Sequence, residues 1–447
     1  MNQRLTLVSS VVGAVVVALD GTVLTVAQPT LQRDLHASFT QVQWTSTAYL
    51  IAVASLLVFA GRLGDRYGHR RVFGWGMLGF GAASAGVGLA PGVGWVIGLR
   101  VVQGVFGALL QPATLGMLRA SFPPDRLAMP LAVRTAAIGL AAAAGPVVGG
   151  ALVTGPGWRA VFFLGVVPAA GFGVLALAVR GPDRAGAADT ALDVPGALLL
   201  AVTLAALVDS LVAPHPWGLA LSALTGVLFV RHERRTASPL LPPEVTGSAS
   251  VGAALGVLVA ASASLFGTLF TSTYVLQGAL GLDPFQSALR SLPLAVLMVV
   301  TAPCCAVLLR RAGARRTTGA AMAVLALGVL LLSRASGTLA LACGFALLGA
   351  GFGTVMVAAT HVVVRQADAG SAGVAGGLQQ TALNIGPTLG VAAATALMGS
   401  GTAPTLTVLA AVAALGATAA RALPARSVAS ITQHPDERAR SRVPARR

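Results

Sequence analysis

The chain contains no lysine, and it is short of charge altogether. Charged residues occupy 10% of its 447 positions, against about 25% in an ordinary soluble domain. That shortage excludes a soluble enzyme of this size, whose surface would have to be far more polar. Aromatic residues make up only 5%. The net charge of +16 therefore does not read as a nucleic-acid face, which needs a basic folded surface with aromatics for stacking. Cysteine is nearly absent. Cys304, Cys305 and Cys343 all lie in apolar segments, with no metal-ligand spacing and no disulfide framework. The zinc-protease pattern HExxH is missing, as is a Ser/His pair within an apolar segment, so an intramembrane hydrolase lacks its residues. No metal and no cofactor is expected. The start, MNQRLTLVSS, has one arginine and no small-residue cleavage site, which reads as a retained first helix rather than a signal peptide.

What the chain has is apolar length. Hydrophobic residues make up 55% and the mean hydropathy is +0.81. They come in runs of about 18–25 residues, the length that crosses a hydrocarbon core. Reading the runs between breakers predicts about fourteen membrane helices. They begin near Leu5, Gln43, Arg71, Gly94, Ala128, Ala160, Val194, Pro216, Ser248, Ser287, Thr317, Thr338, Ala372 and Thr402.

Arginine placement supports that count. With the amino terminus inside, the inner loops collect Arg62, Arg66, Arg70, Arg71, Arg119, Arg126, Arg180, Arg184, Arg231, Arg234, Arg235, Arg310, Arg311, Arg315, Arg316 and Arg365. The outer loops hold Arg33, Arg159, Arg290 and Arg334, each alone. This is the asymmetry of a positive-inside membrane protein. The short run from Pro216 to Val230 must cross, or every later cluster would face outward. Trp44, Trp75, Trp95, Trp158 and Trp217 fall at predicted helix ends, as an interfacial belt requires. The expected organisation is a six-helix bundle over 1–180, two additional helices with a cytoplasmic loop over 181–246, a second six-helix bundle over 247–423, and a disordered basic tail over 424–447. Both termini are expected to be cytoplasmic. The Ala/Gly-rich, arginine-only composition points to a bacterial inner membrane.

Acidic residues number fourteen, and nearly all fall in loops, helix ends or the tail. Asp20 and Asp209 lie inside helices. Asp209 is near the outer end of the seventh, where a carboxylate can snorkel to water. Asp20 is about 15 residues into the first, so about 22 Å from the inner face at 1.5 Å per residue. Arg100 lies roughly 9 Å below the outer face by the same rise. In a core about 30 Å thick, the two charges are level. Gln103 sits one turn below Arg100. A carboxylate at the bilayer centre costs about 2.5–3.5 kcal/mol on insertion scales. A pair that only ties helices together is one reading. The other is a proton or substrate site, since intramembrane ionisable residues mark pathways.

Four stretches carry a pattern. GRLGDRYGHRRV (Gly61–Val72) joins helices two and three inside, with Asp65 among Arg66, Arg70 and Arg71. Helix four carries Arg100, Gln103 and Gly104, and ends at Arg119. GLAAAAGPVVGGALV (Gly139–Val153) is helix five, where Gly145, Pro146, Gly149 and Gly150 allow close backbone approach and a bend. LDGTVLTVAQP (Leu19–Pro29) is helix one. In this order, the four resemble the major facilitator superfamily, and within it the fourteen-helix drug:proton antiporter family. The likeness covers nearly the whole chain. Thr25, Gln28, Gly165 and Arg134 depart from that family's usual residues. A degraded second copy of the loop signature, LLRRAGARR (Leu308–Arg316), keeps Gly313, Arg315 and Arg316 at matching spacing, with Arg310 where Asp65 stands. That repeat fits two bundles related by an axis along the membrane normal.

The resemblance implies proton-coupled export of a hydrophobic or cationic small molecule by alternating access, with no enzyme activity. It implies Asp20 and Arg100 as the proton-coupling pair. Gly61, Asp65, Arg66, Arg70, Arg71 and Arg119 would be the conformational gate, and Gly145–Gly150 the antiporter helix. Gln103, Trp44, Tyr49, Tyr274, Gln277, Gln380, Asn384 and Asp209 are the candidate cavity residues, with helix packing as the plainer reading of each. The partners are a small-molecule substrate, protons and the lipid bilayer, and the chain is expected to be a monomer. A proton-independent or importing facilitator of the same fold is the alternative, because fold does not fix function.

Overall fold

The computed structural model describes residues 2–123, 126, 128–179, 193–212, 216–236, 239, 248–335, 337–366 and 372–424. Every regular element among them is helical. In chain order these are α1 (Gln3–Asp34), α2 (Phe39–Tyr67), α3 (His69–Gly88), α4 (Val93–Ser121), α5 (Ala128–Thr154), α6 (Trp158–Phe163) and α7 (Val166–Ala178). A paired insertion follows, α8 (Val194–Val212) and α9 (Pro216–Glu233). The second half comprises α10 (Ala249–Tyr274) with a π turn at Val275–Ala279, then α11 (Pro284–Ser333), α12 (Thr338–Gln366), α13 (Ala372–Leu397) and α14 (Thr402–Ala419). Ten helical segments among the described residues are long and apolar enough to cross a membrane. The expected disordered tail, and most of the expected loop before Asp193, lie outside the described residues.

Glycine sets the turns where the arginine loops reverse the chain. Gly68 joins α2 to α3 at φ 91°, a left-handed conformation that side chains disfavour. Its N–H donates to Gly64 O at 2.9 Å, closing α2. Gly313 breaks α11 into two arms at φ 76°. The repeated loop signature therefore repeats a backbone conformation as well as a spacing. At the opposite end, capping boxes start the helices. Ser38 with Gln41 opens α2, and Asp283 with Gln286 opens α11, with Pro284 in its first turn.

Two groups of helices form separate cores. Val16, Tyr49, Val53, Phe73, Met77, Phe80 and Leu110 pack within α1–α4, with Ala169 and Ala176 of α7. Val257, Leu265, Met322, Leu325, Phe345, Leu348 and Leu409 pack within α10–α14. The inserted helix α8 lies against α2 and α13 through Leu204 and Val208. It is tied to α9 where His232 Nε2 meets Asp193 Oδ1 at 2.7 Å.

Tryptophan placement is partly corrected. Trp75, Trp95 and Trp217 are exposed, as lipid-facing anchors would be. Trp158 is only 1% exposed. It follows Gly157, whose φ of 102° turns the chain inward, and packs edge-on to Phe162. Trp44 is half-buried and packs on the cluster that Ile51 and Ala54 form with Leu204, Val208 and Ala392.

The small residues of α5 let it touch both halves. A Cβ at Gly145 would strike Thr22 Oγ1 of α1. One at Gly149 would lie 2.7 Å from Val23 Cγ1, and one at Gly150 would lie 2.7 Å from Phe285 Cα of α11. Pro146 sits between them in the same helix. Gly149→Leu is expected to lose transport and about 1–3 kcal/mol of stability, the usual cost of overpacking. Thermal unfolding of the purified protein and a vesicle transport assay check both effects.

Candidate functional site

The register of α1 sorts its residues onto two faces. Gly13, Val17, Gly21, Thr25 and Gln28 line a central cavity of about 290 Å³. Val16, Val23 and Ala27 are buried in the packing of the first half, and Asp20 falls on that side. Asp20 lines a second, smaller pocket of about 210 Å³, with Val161, Phe162, Gly165 and Pro168 on its far wall. The two pockets lie on opposite faces of one helix.

Arg100 spans the gap between them. Its NH1 donates to Asp20 Oδ2 at 2.5 Å and to Gln103 Oε1 at 2.6 Å, and its Nε donates to Thr45 O at 2.9 Å. Gln103 Nε2 donates to Asp20 Oδ1 at 2.8 Å and to Ser84 Oγ at 2.6 Å. Both carboxylate oxygens are thus engaged by α4. Arg100 and Gln103 reach one carboxylate because residues three apart share a helix face. The guanidinium is 1% exposed and the carboxylate 9%. The Tyr49 ring covers Arg100 at 4.3 Å, and Arg100 itself lines the central cavity. Close approach of α2 to α4 makes this cover possible. A Cβ at Gly104 would lie 2.7 Å from Tyr49 O, and one at Gly107 would lie 2.9 Å from its hydroxyl.

The second half contributes one face of α13. Gln380, Asn384, Pro387 and Val391 line the cavity with Phe266 and Phe270 of α10. Asn384 Nδ2 donates to Gln380 O at 2.7 Å. The neighbouring Gln379 turns away and donates to Thr360 of α12 at 2.7 Å.

Of the expected cavity residues, the structure brings Tyr49, Gln380 and Asn384 to the wall, together with Arg100 of the expected coupling pair. The others lie elsewhere. Gln103 faces Asp20 and the first-half core. Trp44 precedes Tyr49 by five residues, about 140° around the helix, and packs on the cluster joining α2, α8 and α13. Tyr274 stacks on Phe39 and Phe270, with ring centroids 4.9 and 5.1 Å away. Gln277, in the π turn, is buried and donates to Val26 O of α1 at 3.0 Å. Asp209 is exposed near the end of α8. Gln28, Ser46, Gln111, Thr114 and Arg134 line the cavity without having been expected there. Gln28 and Arg134 stand out in the sequence as departures from the family's usual residues; Ser46, Gln111 and Thr114 have only the signal of polar residues in apolar runs.

Around the arginine loop, Arg70 donates to Ala176 O at 2.6 Å and to Val179 O. Arg62 reaches Pro239 O at 2.9 Å. Arg66 lies over the Tyr67 ring, and Arg71 and Arg119 are exposed. Gly61 is 3.7 Å from Pro112 Cβ, measured from an added Cβ. The Asp65 side chain lies outside the described residues.

Residues 11–391 match the model of the Major Facilitator Superfamily. The chain belongs to that superfamily. It is 39% identical over 407 residues to the tetracenomycin C resistance and export protein of Streptomyces glaucescens, covering 88% of this chain and 76% of the relative. It is 35% identical over 405 residues to the cephamycin export protein CmcT of Amycolatopsis lactamdurans, covering 86% and 83%. A crystal structure of the peptide transporter POT superposes with a TM-score of 0.68 at 14% identity, covering 93% of each chain, a likeness of fold. This facilitator is accordingly a multi-pass membrane transporter and not an enzyme.

The buried pair makes a stability prediction for the facilitator. Removing one partner of a buried ion pair leaves an uncompensated charge and costs about 3–5 kcal/mol, whereas removing both can be near neutral. Arg100→Met is expected to lower the unfolding temperature sharply, and Asp20→Asn in the same chain is expected to restore most of the loss. Differential scanning fluorimetry of the single and double variants checks this.

Proposed function

We propose that this facilitator exports a hydrophobic or cationic small molecule, a drug or natural product, from the cytoplasm in exchange for protons. The observation that carries the reading is the two-sided Asp20–Arg100 pair. Arg100 touches the cavity where a substrate would lie, and Asp20 opens to a separate pocket. Proton and substrate then act on one ion pair from opposite faces of α1. Protonation of Asp20 removes its charge and releases Arg100; loss of the proton re-forms the pair. The export named for the relatives supports the direction of transport.

The remaining parts of the reading follow the same line. The chain is a fourteen-span antiporter of the drug:proton family, with Gly313 separating two spans within α11. Both termini are cytoplasmic, the membrane is the bacterial inner one, and the unit is a monomer. Residues 1–180 and 247–423 are the two bundles, and 181–246 is the insertion. The two halves meet at one end through Val26 with Gln277, Thr154 with Phe285, and Phe39 with Tyr274. That end is the outer one in this orientation. Asp65 and the arginines of Gly61–Arg71 with Arg119 gate the other end.

Asp20→Asn is expected to abolish uphill export driven by an imposed pH gradient in vesicles, and Asp20→Glu to keep part of it. Uphill export by Asp20→Asn at the wild-type rate would instead make the carboxylate structural and Asp209 the next candidate for coupling; wild-type export that ignores the pH gradient would leave a proton-independent facilitator. The gating reading is checked with Ala142→Cys, in a background lacking the native cysteines, labelled by an impermeant maleimide. Gln277→Leu is expected to raise labelling from outside and Asp65→Asn from inside; labelling equal to wild type in both removes the gate assignment.

A further inference from the structure

Arg134 gives the cavity a charge that no described residue of its wall balances. It projects from α5 into the central cavity, where one NH2 donates to Thr114 Oγ1 at 3.0 Å. Its Nε is buried and has no hydrogen-bond partner. No aspartate or glutamate is among the described residues of the cavity wall. The other lining cation, Arg100, is already neutralised by Asp20. The wall therefore carries one uncompensated positive charge inside an apolar span. A guanidinium there is costly unless something completes it. Around it, Gln111 and Thr114 offer further polar groups, while Phe266, Phe270 and Leu383 supply an apolar surface in the same cavity.

We propose that the cavity selects an amphipathic compound bearing one ionised acidic group, a carboxylate or phenolate, with the anion seated on Arg134 and the apolar body against Phe266 and Phe270. This rests on the export reading above and replaces its cationic option. A cationic substrate would bring a like charge to an unpaired guanidinium at low dielectric, which is discrimination by repulsion. An anion completes the fork of donors that a guanidinium presents to oxygen pairs. Thr114 lies beside Gly13 on α1, with a Cβ there 3.2 Å from Thr114 Cγ2, whereas Gln28 is about four turns further along the same helix. The anion seat is thus at the end of the cavity nearer the amino terminus, and the apolar walls lie deeper.

The test uses three fluorescent probes that share one ring system: 9-anthracenecarboxylic acid, 9-anthracenemethanol and 9-(aminomethyl)anthracene. Binding is measured on the full chain in nanodiscs at neutral pH without a proton gradient, so it holds or fails independently of the Asp20 transport assay. The wild type is expected to bind the carboxylate at least tenfold more tightly than the amine. Arg134→Gln is expected to bring the carboxylate down to the affinity of the alcohol while leaving the alcohol's own affinity unchanged, and Arg134→Lys to keep the preference. Equal or tighter binding of the amine by the wild type overturns the proposal, as does no measurable carboxylate binding. Retention of the carboxylate preference in Arg134→Gln overturns it too. The wild-type comparison decides alone if the glutamine variant does not fold.

Discussion

The Asp20–Arg100 ion pair, with Gln103 bridging it, constrains the first half of the molecule more than any other contact. Two charges have been taken out of water into an apolar span, which is tolerated only when geometry is close and the remaining hydrogen-bonding capacity is filled. The structure meets both conditions. Asp20 has a donor on each oxygen, and Arg100 has a carboxylate, an amide oxygen and the Thr45 carbonyl. These partners come from α1, α2 and α4, so the three helices are held at one depth by polar contacts. The glycines at 104 and 107 then follow as a requirement. Without them Tyr49 could not come close enough to cover the guanidinium.

A helix that holds such a pair on one face and lines a cavity on the other must be held from both sides. α5 reaches the cavity-facing Thr22 through Gly145 and the neighbouring Val23 through Gly149. Gly150, the next residue, meets the first turn of α11. One stripe of small residues therefore couples α1 to the second half of the chain. Gln277 adds a hydrogen bond to the same helix from the π turn, an irregular turn of the kind often found at functional sites. Movement of one half against the other must break or slide the Gly150–Phe285 and Gln277–Val26 contacts, the second of which bears directly on the helix carrying Asp20.

What was legible in the sequence had a one-dimensional signature. Depth is a count of residues, so the level pairing of Asp20 with Arg100 followed from the rise per residue alone. The loop repeat was legible because Gly68 and Gly313 serve the same left-handed turn, and only glycine does so cheaply. Azimuth was harder. Trp44, Tyr274 and Gln277 were expected at the cavity because they are large or polar, yet the rotation of α2 and the end of α10 send them to helix contacts. Trp158 was misread as an interfacial anchor because the inward turn at Gly157 has no hydrophobic pattern. Polar cavity residues such as Ser46, Gln111 and Thr114 carry no distinct signal, because amides and hydroxyls in apolar runs are commonly helix glue. Only three-dimensional placement separates the Gln380 that lines the cavity from the Gln379 that bonds Thr360.

The charges in the cavity bear on energetics as well as recognition. The first half contains a neutralised pair and, in the same cavity wall as Arg100, one arginine with no carboxylate among the described residues of that wall. An acidic cargo would supply that counter-charge during passage. An anion moving outward and a proton moving inward both transfer positive charge toward the cytoplasm. With the cell interior negative, the membrane potential and the pH gradient would then drive the exchange in the same direction, each elementary charge adding its own share of the field energy. A cationic cargo would reverse the first of those movements and cancel the electrical benefit of the second. Residue 134 would thereby connect selectivity to driving force, although it lies outside the hydrogen-bond network of Asp20.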